Sequence, residues 1–208
     1  MKKNIIYSLL LVVAVLFAGC EDRLDIAKHG NMGGQDDFYK TNEQTEQAVA
    51  AMYGRVKGLY FTWFFTKNML SDDAWCGGGS RGDNNSYEQL NEFTFDSSNG
   101  NVEGLFSGLY GIIYQSNLII EKVADDTDVK KRAIAEAYFF RAWANFELVT
   151  LWGTAPLVDH LLATGEYRQP NSTPEALWAV VESDLKEAIG MNALPSKKNK
   201  DDQETGMR

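Results

Sequence analysis

The sequence predicts an all-α fold in which helices pack in pairs, with one long loop between the first two helices. Three stretches place apolar residues at intervals of three and four, as one face of an α-helix does, and a fourth is apolar almost all round. Capping-box residues precede two of these stretches. The pattern is typical of either a helical bundle or helix-turn-helix repeats of the tetratricopeptide kind.

The N-terminus has the features of an export signal. Two lysines open the chain, an apolar run follows over residues 5–17, and two small residues stand directly before Cys20. The run is shorter than the roughly 20 apolar residues that a membrane-spanning helix needs. We therefore predict that residues 1–19 are a lipoprotein signal peptide and that Cys20 is the lipidated residue. The alternative is a plain secretory signal in which Cys20 is incidental.

The rest of the chain divides into three segments. Residues 20–40 are polar and include a flexible stretch with two glycines, so a lipidated, extended N-terminal arm is predicted. Residues 41–195 carry all the helix signals and form the predicted helical domain. Residues 196–208 are charged and lack an apolar pattern, which predicts a mobile tail.

The first helix is predicted from Thr41 to about Tyr60, because Thr41 and Gln44 form a capping-box pattern ahead of an amphipathic stretch. Residues 61–100 are rich in aromatic residues and turn formers. Within them, residues 76–85 have no periodicity and are predicted to be a long loop. Loops of this length are usually functional or disordered.

Three further helices are predicted after this loop. The second covers residues 101–123, and the third covers residues 129–152 and ends at Gly153. Because the third is apolar on almost every side, we expect it to be packed on every side. The fourth covers residues 173–190, and Ser172 with Glu175 is predicted to cap it as a capping box.

The charge balance excludes one class of partner. The chain has 20 Lys and Arg against 29 Asp and Glu, for a net charge of −9. The net charge becomes −11 once the two lysines of residues 1–19 are removed. A protein this acidic is a poor candidate for nucleic-acid binding, which depends on clustered Lys and Arg. It is suited to neutral ligands and to staying soluble.

The residues that usually carry catalysis or hold metals do not form a recognisable pattern. The two histidines, His29 and His160, are far apart, and no zinc-ligand or nucleophile–histidine spacing occurs. The acidic and amide residues of 71–85 would suit calcium, yet their spacing matches no calcium loop. If Cys20 is lipidated, Cys76 has no disulfide partner. These residues thus give no support for hydrolysis, for a zinc site or for a cofactor, and a calcium ion in the 71–85 loop is left open.

Several motifs, taken in chain order, resemble those of the SusD/RagB family. The most distinctive is an Ala-Glu-Ala followed by aromatic residues and Arg-Ala in the third helix, with Gly-x-x-Pro-Leu-Val after it. The matching segments are Cys20 to Asp25, Ser71 to Asp73, Leu109 to Asn117, Ala135 to Ala142, Leu148 to Val158, Asp184 to Ala188, and Leu194-Pro195. Together they are specific and span residues 20–195.

This resemblance implies a fold, a location and a function. The fold would be a tetratricopeptide-like α-α superhelix, and the protein would be lipid-anchored at the outer membrane, exposed at the cell surface. It would bind oligosaccharide or polysaccharide and deliver it to a SusC-like TonB-dependent transporter, without being an enzyme. Family members are considerably longer, so the chain looks like the N-terminal part of such a protein.

The long loop holds the candidate binding residues. Sugar rings have apolar C–H faces that stack on aromatic side chains, and their hydroxyls need polar partners. The loop supplies both, and the candidate ligand-binding residues are Trp75, Arg81, Asp83, Asn84 and Asn85. In the alternative interpretation, the indole packs beneath its own loop and the polar residues only solvate it.

Arg141 lies within an almost continuous aromatic run, where an unpaired buried charge would be very costly. We therefore expect a structural pairing, either with Glu136 or with a carboxylate from another helix. A different function also remains open for the whole chain. It could be a helical interaction scaffold, or lid, that binds only the transporter protein and has no sugar site of its own.

Overall fold

The computed structural model describes residues 38–194. The predicted signal segment, Cys20, the arm up to residue 37 and the predicted tail lie outside the described residues. The described part contains helices α1 (Asn42–Met69), α2 (Asn85–Asn91), α3 (Gly100–Lys122), α4 (Asp128–Trp152) and α5 (Pro174–Gly190), with two short strands, β1 (Ala155–Pro156) and β2 (Asn171–Ser172). The predicted all-α fold is confirmed.

Helix α1 begins with the predicted capping box. The Gln44 N–H donates to Thr41 Oγ1 at 3.2 Å, and the Gln44 side-chain oxygen accepts from the Thr41 N–H at 3.0 Å. The predicted end near Tyr60 is wrong, because the helix continues to Met69. The aromatic residues that suggested a new segment instead pair within the helix at i, i+4 spacing, as in the 4.3 Å centroid distance between Phe61 and Phe65.

The loop predicted over residues 76–85 ends just before Asn85, which starts helix α2. This helix was not predicted. This helix has one fully buried side chain, Leu90, which is 0% exposed. Asn99, which caps α3, also donates from Nδ2 to the Ser86 carbonyl at 2.9 Å. Burial of one leucine and this contact from α3 explain why a polar segment becomes helical here.

Helices α3 and α4 form an antiparallel pair close to the predicted bounds. Asn99 Oδ1 caps α3, and Thr127 Oγ1 accepts from the Lys130 N–H at 3.3 Å to cap α4. Gly153 ends α4 with φ at 72°, a conformation that a side chain would strain. The predicted stop at this glycine is confirmed.

The predicted capping box of the last helix is wrong by one residue. Thr173, rather than Ser172, is the N-cap, and its Oγ1 accepts from the Ala176 N–H at 3.3 Å. Ser172 belongs to β2, which pairs antiparallel with β1 so that Ala155 faces Ser172. Pro174 then occupies the first helical position, where its missing N–H costs nothing.

The core is a single cluster of apolar side chains drawn from four helices. Helix α4 contacts α1, α3 and α5, and so lies at the centre of the packing. The fully buried members with 0% exposure include Met52, Leu105, Leu109, Ile112, Ile113, Ile119, Leu148 and Leu177. None of the helices between residues 38 and 194 is both long and apolar enough to span a membrane.

The expectation that the third predicted helix is packed on every side is wrong for one strip of α4. Phe139 is 45% exposed and Phe146 is 38% exposed. Phe146 makes an edge-to-face contact with Trp178 of α5, at a centroid distance of 5.6 Å. Trp178 is itself exposed. The strip, made of these three residues, is therefore an aromatic surface on the α4–α5 pair.

Arg141 makes the structural pairing that its setting demands, and the partner comes from another helix. Its Nε and Nη2 each donate to Asp184 of α5 at 2.7 Å, in a bidentate pair. Its Nη1 donates to Asn117 Oδ1 of α3 at 2.8 Å and to the Asp159 carbonyl. Glu136 instead binds Arg132 Nε at 2.9 Å. The buried guanidinium thus ties three helices to the loop after β1.

Two side chains of α3 hold the beginning of the connection between α4 and α5. Asn117 Nδ2 donates to the His160 carbonyl at 2.9 Å, and the Tyr110 hydroxyl donates to the Pro156 carbonyl at 2.6 Å. Burial raises the pKa of Tyr110, which keeps the hydroxyl protonated as a donor. The connection between α4 and α5 is therefore an ordered part of the fold.

Candidate functional site

An open cleft lies in the loop between α1 and α2. It has a volume of about 240 Å³, and the described residues that line it are Trp75, Cys76, Gly77, Gly78, Ser80, Arg81 and Glu88. The lining combines an indole ring, a guanidinium group, a hydroxyl, a carboxylate and glycine backbone. One apolar face beside several hydrogen-bonding groups is the usual composition of a small-molecule site.

Asn91, the last residue of α2, holds the beginning of the loop in place. Its Nδ2 donates to the Met69 carbonyl at 2.7 Å and to the Ala74 carbonyl at 3.0 Å. Its Oδ1 accepts from the Cys76 N–H. One amide therefore connects the end of α1 to both neighbours of Trp75, and this positions the indole at the cleft.

Trp75 is 67% exposed, so the indole does not pack beneath its own loop. A large aromatic side chain left in water next to a cleft offers an apolar face that a ligand can cover. This exposure favours the interpretation in which Trp75 contacts a ligand.

Arg81 also lines the cleft and is paired with two carboxylates. Its Nη2 lies 2.5 Å from Glu92 Oε1, and its Nε lies 4.0 Å from Glu88 Oε2. The arginine side chain is 73% exposed. An ion pair this exposed contributes little to the stability of the fold, about 0–1 kcal/mol. The guanidinium can therefore reach a ligand in the cleft, but its positive charge is already paired with Glu88 and Glu92.

Asp83 shapes the loop from within. Its two carboxylate oxygens accept from the Ser80 N–H and the Ser80 hydroxyl, each at 3.0 Å. These hydrogen bonds, the backbone one first, lower the pKa of Asp83. A Cβ at Gly78 would lie 3.0 Å from the Asp83 carboxylate, which is tighter than an ordinary van der Waals contact, so the close approach favours glycine there. Asp83 thus supports the cleft and does not line it.

The two asparagines lie outside the cleft lining. Asn84 is the N-cap of α2, and its side chain makes no capping hydrogen bond, although its carbonyl accepts from the Tyr87 N–H at 2.9 Å. Asn85 is the first residue of α2, and both asparagines are exposed. Of the five predicted residues, the structure therefore brings Trp75 and Arg81 together at one cleft.

Among the described lining residues absent from the predicted set, Glu88 is the one that carries a charge. Its carboxylate accepts from the Gly82 N–H at 2.8 and 3.0 Å, which fixes the turn that carries Arg81. Gly82 has φ at 90°, which favours glycine. Glu88 and Glu92 are four residues apart, and this spacing would have placed both on one face had the short helix been foreseen.

A second cleft, of about 130 Å³, lies between the N-terminal halves of α1 and α4, lined by Thr45, Glu46, Val49, Val129, Arg132, Ala133 and Glu136. It contains no aromatic ring, and its arginine and one glutamate bind each other. Across residues 38–194, no group of three or more His, Cys, Asp or Glu side chains is placed to hold a metal ion. The first cleft is therefore the candidate site.

Comparison with known sequences gives a consistent family. A protein-family profile described as SusD-like, starch-binding associating with outer membrane, matches residues 35–205. A SusD-like protein of Bacteroides ovatus is 30% identical over 197 residues, which is 88% of this chain and 34% of that protein. A SusD-like protein of Formosa agariphila is 26% identical over 189 residues, which is 89% of this chain and 37% of that protein.

Solved structures share the fold. A laminarin-binding SusD-like protein is 28% identical, with a TM-score of 0.67 over 79% of this chain and 37% of that chain. A SusD superfamily protein from Bacteroides vulgatus is 24% identical, with a TM-score of 0.66 over 78% of this chain and 36% of that chain. The predicted tetratricopeptide-like helical architecture is thereby confirmed. The chain spans little more than a third of the length of these relatives.

The predicted resemblance to SusD-like proteins is confirmed by sequence and structure together. Because the family profile covers most of the sequence, from residue 35 to residue 205, this chain belongs to the SusD-like family.

Proposed function

We propose that this chain is the N-terminal part of a surface lipoprotein that binds glycans and delivers oligosaccharide to a SusC-like TonB-dependent transporter. The observation that carries the proposal is the exposed indole of Trp75 at the edge of an open cleft that also contains Arg81 and glycine backbone. A sugar ring can stack on the indole while its hydroxyls accept from the guanidinium. The family description as starch-binding and the laminarin-binding relative support carbohydrate as the ligand.

The proposed anchor lies at the N-terminus. Residues 1–19 would be removed as a signal peptide, and acyl chains on Cys20 would insert into the outer membrane, with residues 20–40 as the connecting arm. Each buried CH₂ contributes about 0.8 kcal/mol, so several chains give stable attachment. The helical domain, 41–195, would then lie at the cell surface beside the transporter, and residues 196–208 would lead on from it.

We also propose that the protein acts by binding and not by catalysis, without a cofactor. The Glu88 carboxylate, which lines the cleft, accepts from the Gly82 N–H, and Glu92, which lies outside the lining, is paired with Arg81. A carboxylate engaged in this way is poorly placed to act as a general acid or base, since that work needs a proton within reach of the substrate.

The test is the affinity of the purified chain for soluble polysaccharides, among them laminarin, measured by calorimetry. Trp75→Ala should weaken binding at least about tenfold, as expected for loss of one buried aromatic anchor. Tyr167→Ala is the matched control, because Tyr167 is 69% exposed and lies outside the cleft lining. Polysaccharide binding that Trp75→Ala leaves unchanged would place the sugar site elsewhere.

The second candidate function is a helical scaffold or lid that binds only the transporter protein. It is favoured by the aromatic strip of Phe139, Phe146 and Trp178, which is exposed on the α4–α5 pair. Copurification with the transporter in the absence of sugar, lost in Phe139→Ser/Phe146→Ser and kept in Trp75→Ala, would support this candidate. Sugar binding by the isolated chain would favour the first.

A further inference from the structure

The charged side chains around the cleft bear on which class of glycan it can bind. Natural polysaccharides are either neutral or carry carboxylate or sulfate groups, and an arginine in a sugar site is the usual partner of such anions, because its fork matches their oxygens. Arg81 is the cation that lines this cleft among the residues that the structure describes. Whether Arg81 can bind an anionic sugar therefore depends on which groups already pair with its guanidinium.

Two carboxylates already pair with that guanidinium, Glu88 from α2 and Glu92, the residue directly after this helix. Glu92 Oε1 lies 2.5 Å from Nη2, and Glu88 Oε2 lies 4.0 Å from Nε. The Glu88 carboxylate is held in place by the Gly82 N–H at 2.8 Å, so it cannot turn away without breaking the turn next to Arg81. The exposed fractions of the Glu88 and Glu92 side chains are only 14% and 30%.

The local charge is therefore negative. Arg81 supplies one positive charge, and Glu88 and Glu92 supply one negative charge each, with the ionised Asp83 carboxylate hydrogen-bonded inside the same loop. Charges within about 8 Å of one another are not fully screened at physiological salt. To pair with Arg81, an anionic sugar would have to displace one of the two carboxylates. Its negative charge would then remain close to both Glu88 and Glu92, which repel it. A neutral hydroxyl can accept from the free N–H groups without disturbing the pair.

We propose that this cleft selects neutral glycans over carboxylated or sulfated ones, and that Glu88 and Glu92 are the residues that determine this specificity. The inference rests on the proposed function, since it assumes that sugar binds beside Trp75. It assigns to α2 a role beyond supporting the loop, because the helix and its C-cap residue, Glu92, place two carboxylates at one guanidinium.

The first experiment is an array of neutral, uronate-containing and sulfated oligosaccharides probed with the purified chain. Binding to neutral members only, lost in Trp75→Ala, is the expected result. Comparable binding to anionic members would overturn the selectivity while leaving glycan binding intact. Failure to bind any member would overturn the proposed function, and this inference with it.

The second experiment removes the neutralising charges. Glu88→Gln/Glu92→Gln keeps the shape of both side chains, and one oxygen remains to accept from the Gly82 N–H. This variant should bind uronate oligosaccharides about threefold to tenfold more tightly than the unmodified chain, because Arg81 becomes free to pair with them. Affinity for the neutral ligand should change by less than about twofold.

The matched control is Glu182→Gln/Glu187→Gln, which changes the net charge equally on the exposed side of α5. If that control gains as much uronate binding as the cleft variant, the effect is one of overall charge, and the assignment to Glu88 and Glu92 is wrong.

Salt dependence in the unmodified chain gives a readout that needs no variant. Its affinity for a neutral glycan should be nearly constant from about 0.1 M to about 1 M NaCl, where the Debye length falls from about 10 to about 3 Å. A large loss of affinity over that range would contradict neutral recognition.

Discussion

At the scale of single residues, Arg141 has the most demanding environment in the described chain. Its guanidinium is buried with Asp184, and each side chain is less than a tenth exposed. Removing one partner of such a pair leaves an uncompensated charge in the interior. Replacing both by apolar residues of similar size is often neutral or stabilising. The Arg141–Asp184 pair is thus costly to break, whereas an apolar pair of similar size would stabilise the fold about as well.

Asp184→Ala should lower the free energy of unfolding by about 3–5 kcal/mol, because Arg141 keeps its charge and loses its bidentate acceptor. Chemical denaturation followed by circular dichroism measures the change. Glu182→Ala, on the exposed side of the same helix, should change stability by less than about 0.5 kcal/mol. The double variant Arg141→Met/Asp184→Leu should recover most of the loss. If it is no more stable than Asp184→Ala, the uncompensated charge is not the cause.

His160 is the second residue whose environment can be tested, because two carboxylates flank its ring. Nδ1 lies 2.8 Å from Asp159 Oδ1, and Nε2 lies 3.4 Å from Glu166 Oε2. These hydrogen bonds, that of Asp159 first, raise the pKa of His160. A raised pKa means that the charged imidazole stabilises the fold fully below about pH 6.5, its ordinary pKa. This stabilisation is lost as the pH rises through the raised value.

Proton NMR of the histidine ring signals should therefore give His160 a pKa above about 6.5. The variant His160→Gln identifies the signal, since His29 supplies the other histidine resonance. Asp159→Asn should bring the pKa of His160 down toward its ordinary value. A His160 pKa at or below about 6.5 in the unmodified chain would contradict the geometry of the loop.

At the scale of elements, the crossing of α1 and α3 depends on glycine. A Cβ at Gly108 of α3 would collide with the Leu59 side chain of α1, whereas Gly58 on α1 has open space around it. Glycine inside a helix normally costs about 0.5–1 kcal/mol relative to alanine. The same substitution should therefore have opposite signs at the two positions.

Gly58→Ala should stabilise the protein by about 0.5–1 kcal/mol through the backbone entropy of the unfolded chain. Gly108→Ala should destabilise it by about 1–3 kcal/mol, because the added methyl overpacks the buried contact with Leu59. Both changes are read from denaturant midpoints. Equal stabilisation by the two variants would show that α1 and α3 separate without cost, contrary to the close approach.

The ends of the helices show which parts of the fold could be predicted from the sequence. The Thr41 capping box and the Gly153 stop are short-range features, and both were predictable because the groups involved are neighbours in sequence. The continuation of α1 to Met69 was missed because aromatic residues have no strong local preference, and their contacts decide. Helix α2 was missed because its existence depends on burying Leu90.

At the scale of the whole molecule, one cluster of apolar residues joins α1, α3, α4 and α5. Such a core predicts cooperative unfolding, since none of these four helices can leave without exposing side chains of the others. The chain should show a strongly helical circular dichroism spectrum and a single sharp thermal transition, identical when followed by tryptophan fluorescence. Transitions that differ between the two probes would show that the described helices do not form one cooperative unit.

The candidate site shows the limit of sequence reasoning for the whole molecule. Trp75 and Arg81 were predicted from residue type alone, because an aromatic ring and polar groups in one loop suit a sugar. The supporting role of Asp83 was not predictable because it depends on a turn within the loop. The presence of Glu88 was not predictable because it depends on how the loop meets α2. The exposed aromatic strip on α4 and α5 likewise required knowledge of which sides the neighbours cover.

Asn91 has a consequence for the thermodynamics of recognition. Its amide holds the backbone on both sides of Trp75 before any ligand is present. Ordering a flexible loop on binding costs free energy that is subtracted from the contacts it makes. Here the entropy of the segment is lost when the chain folds, so ordering this stretch of backbone subtracts little further from the free energy of glycan binding.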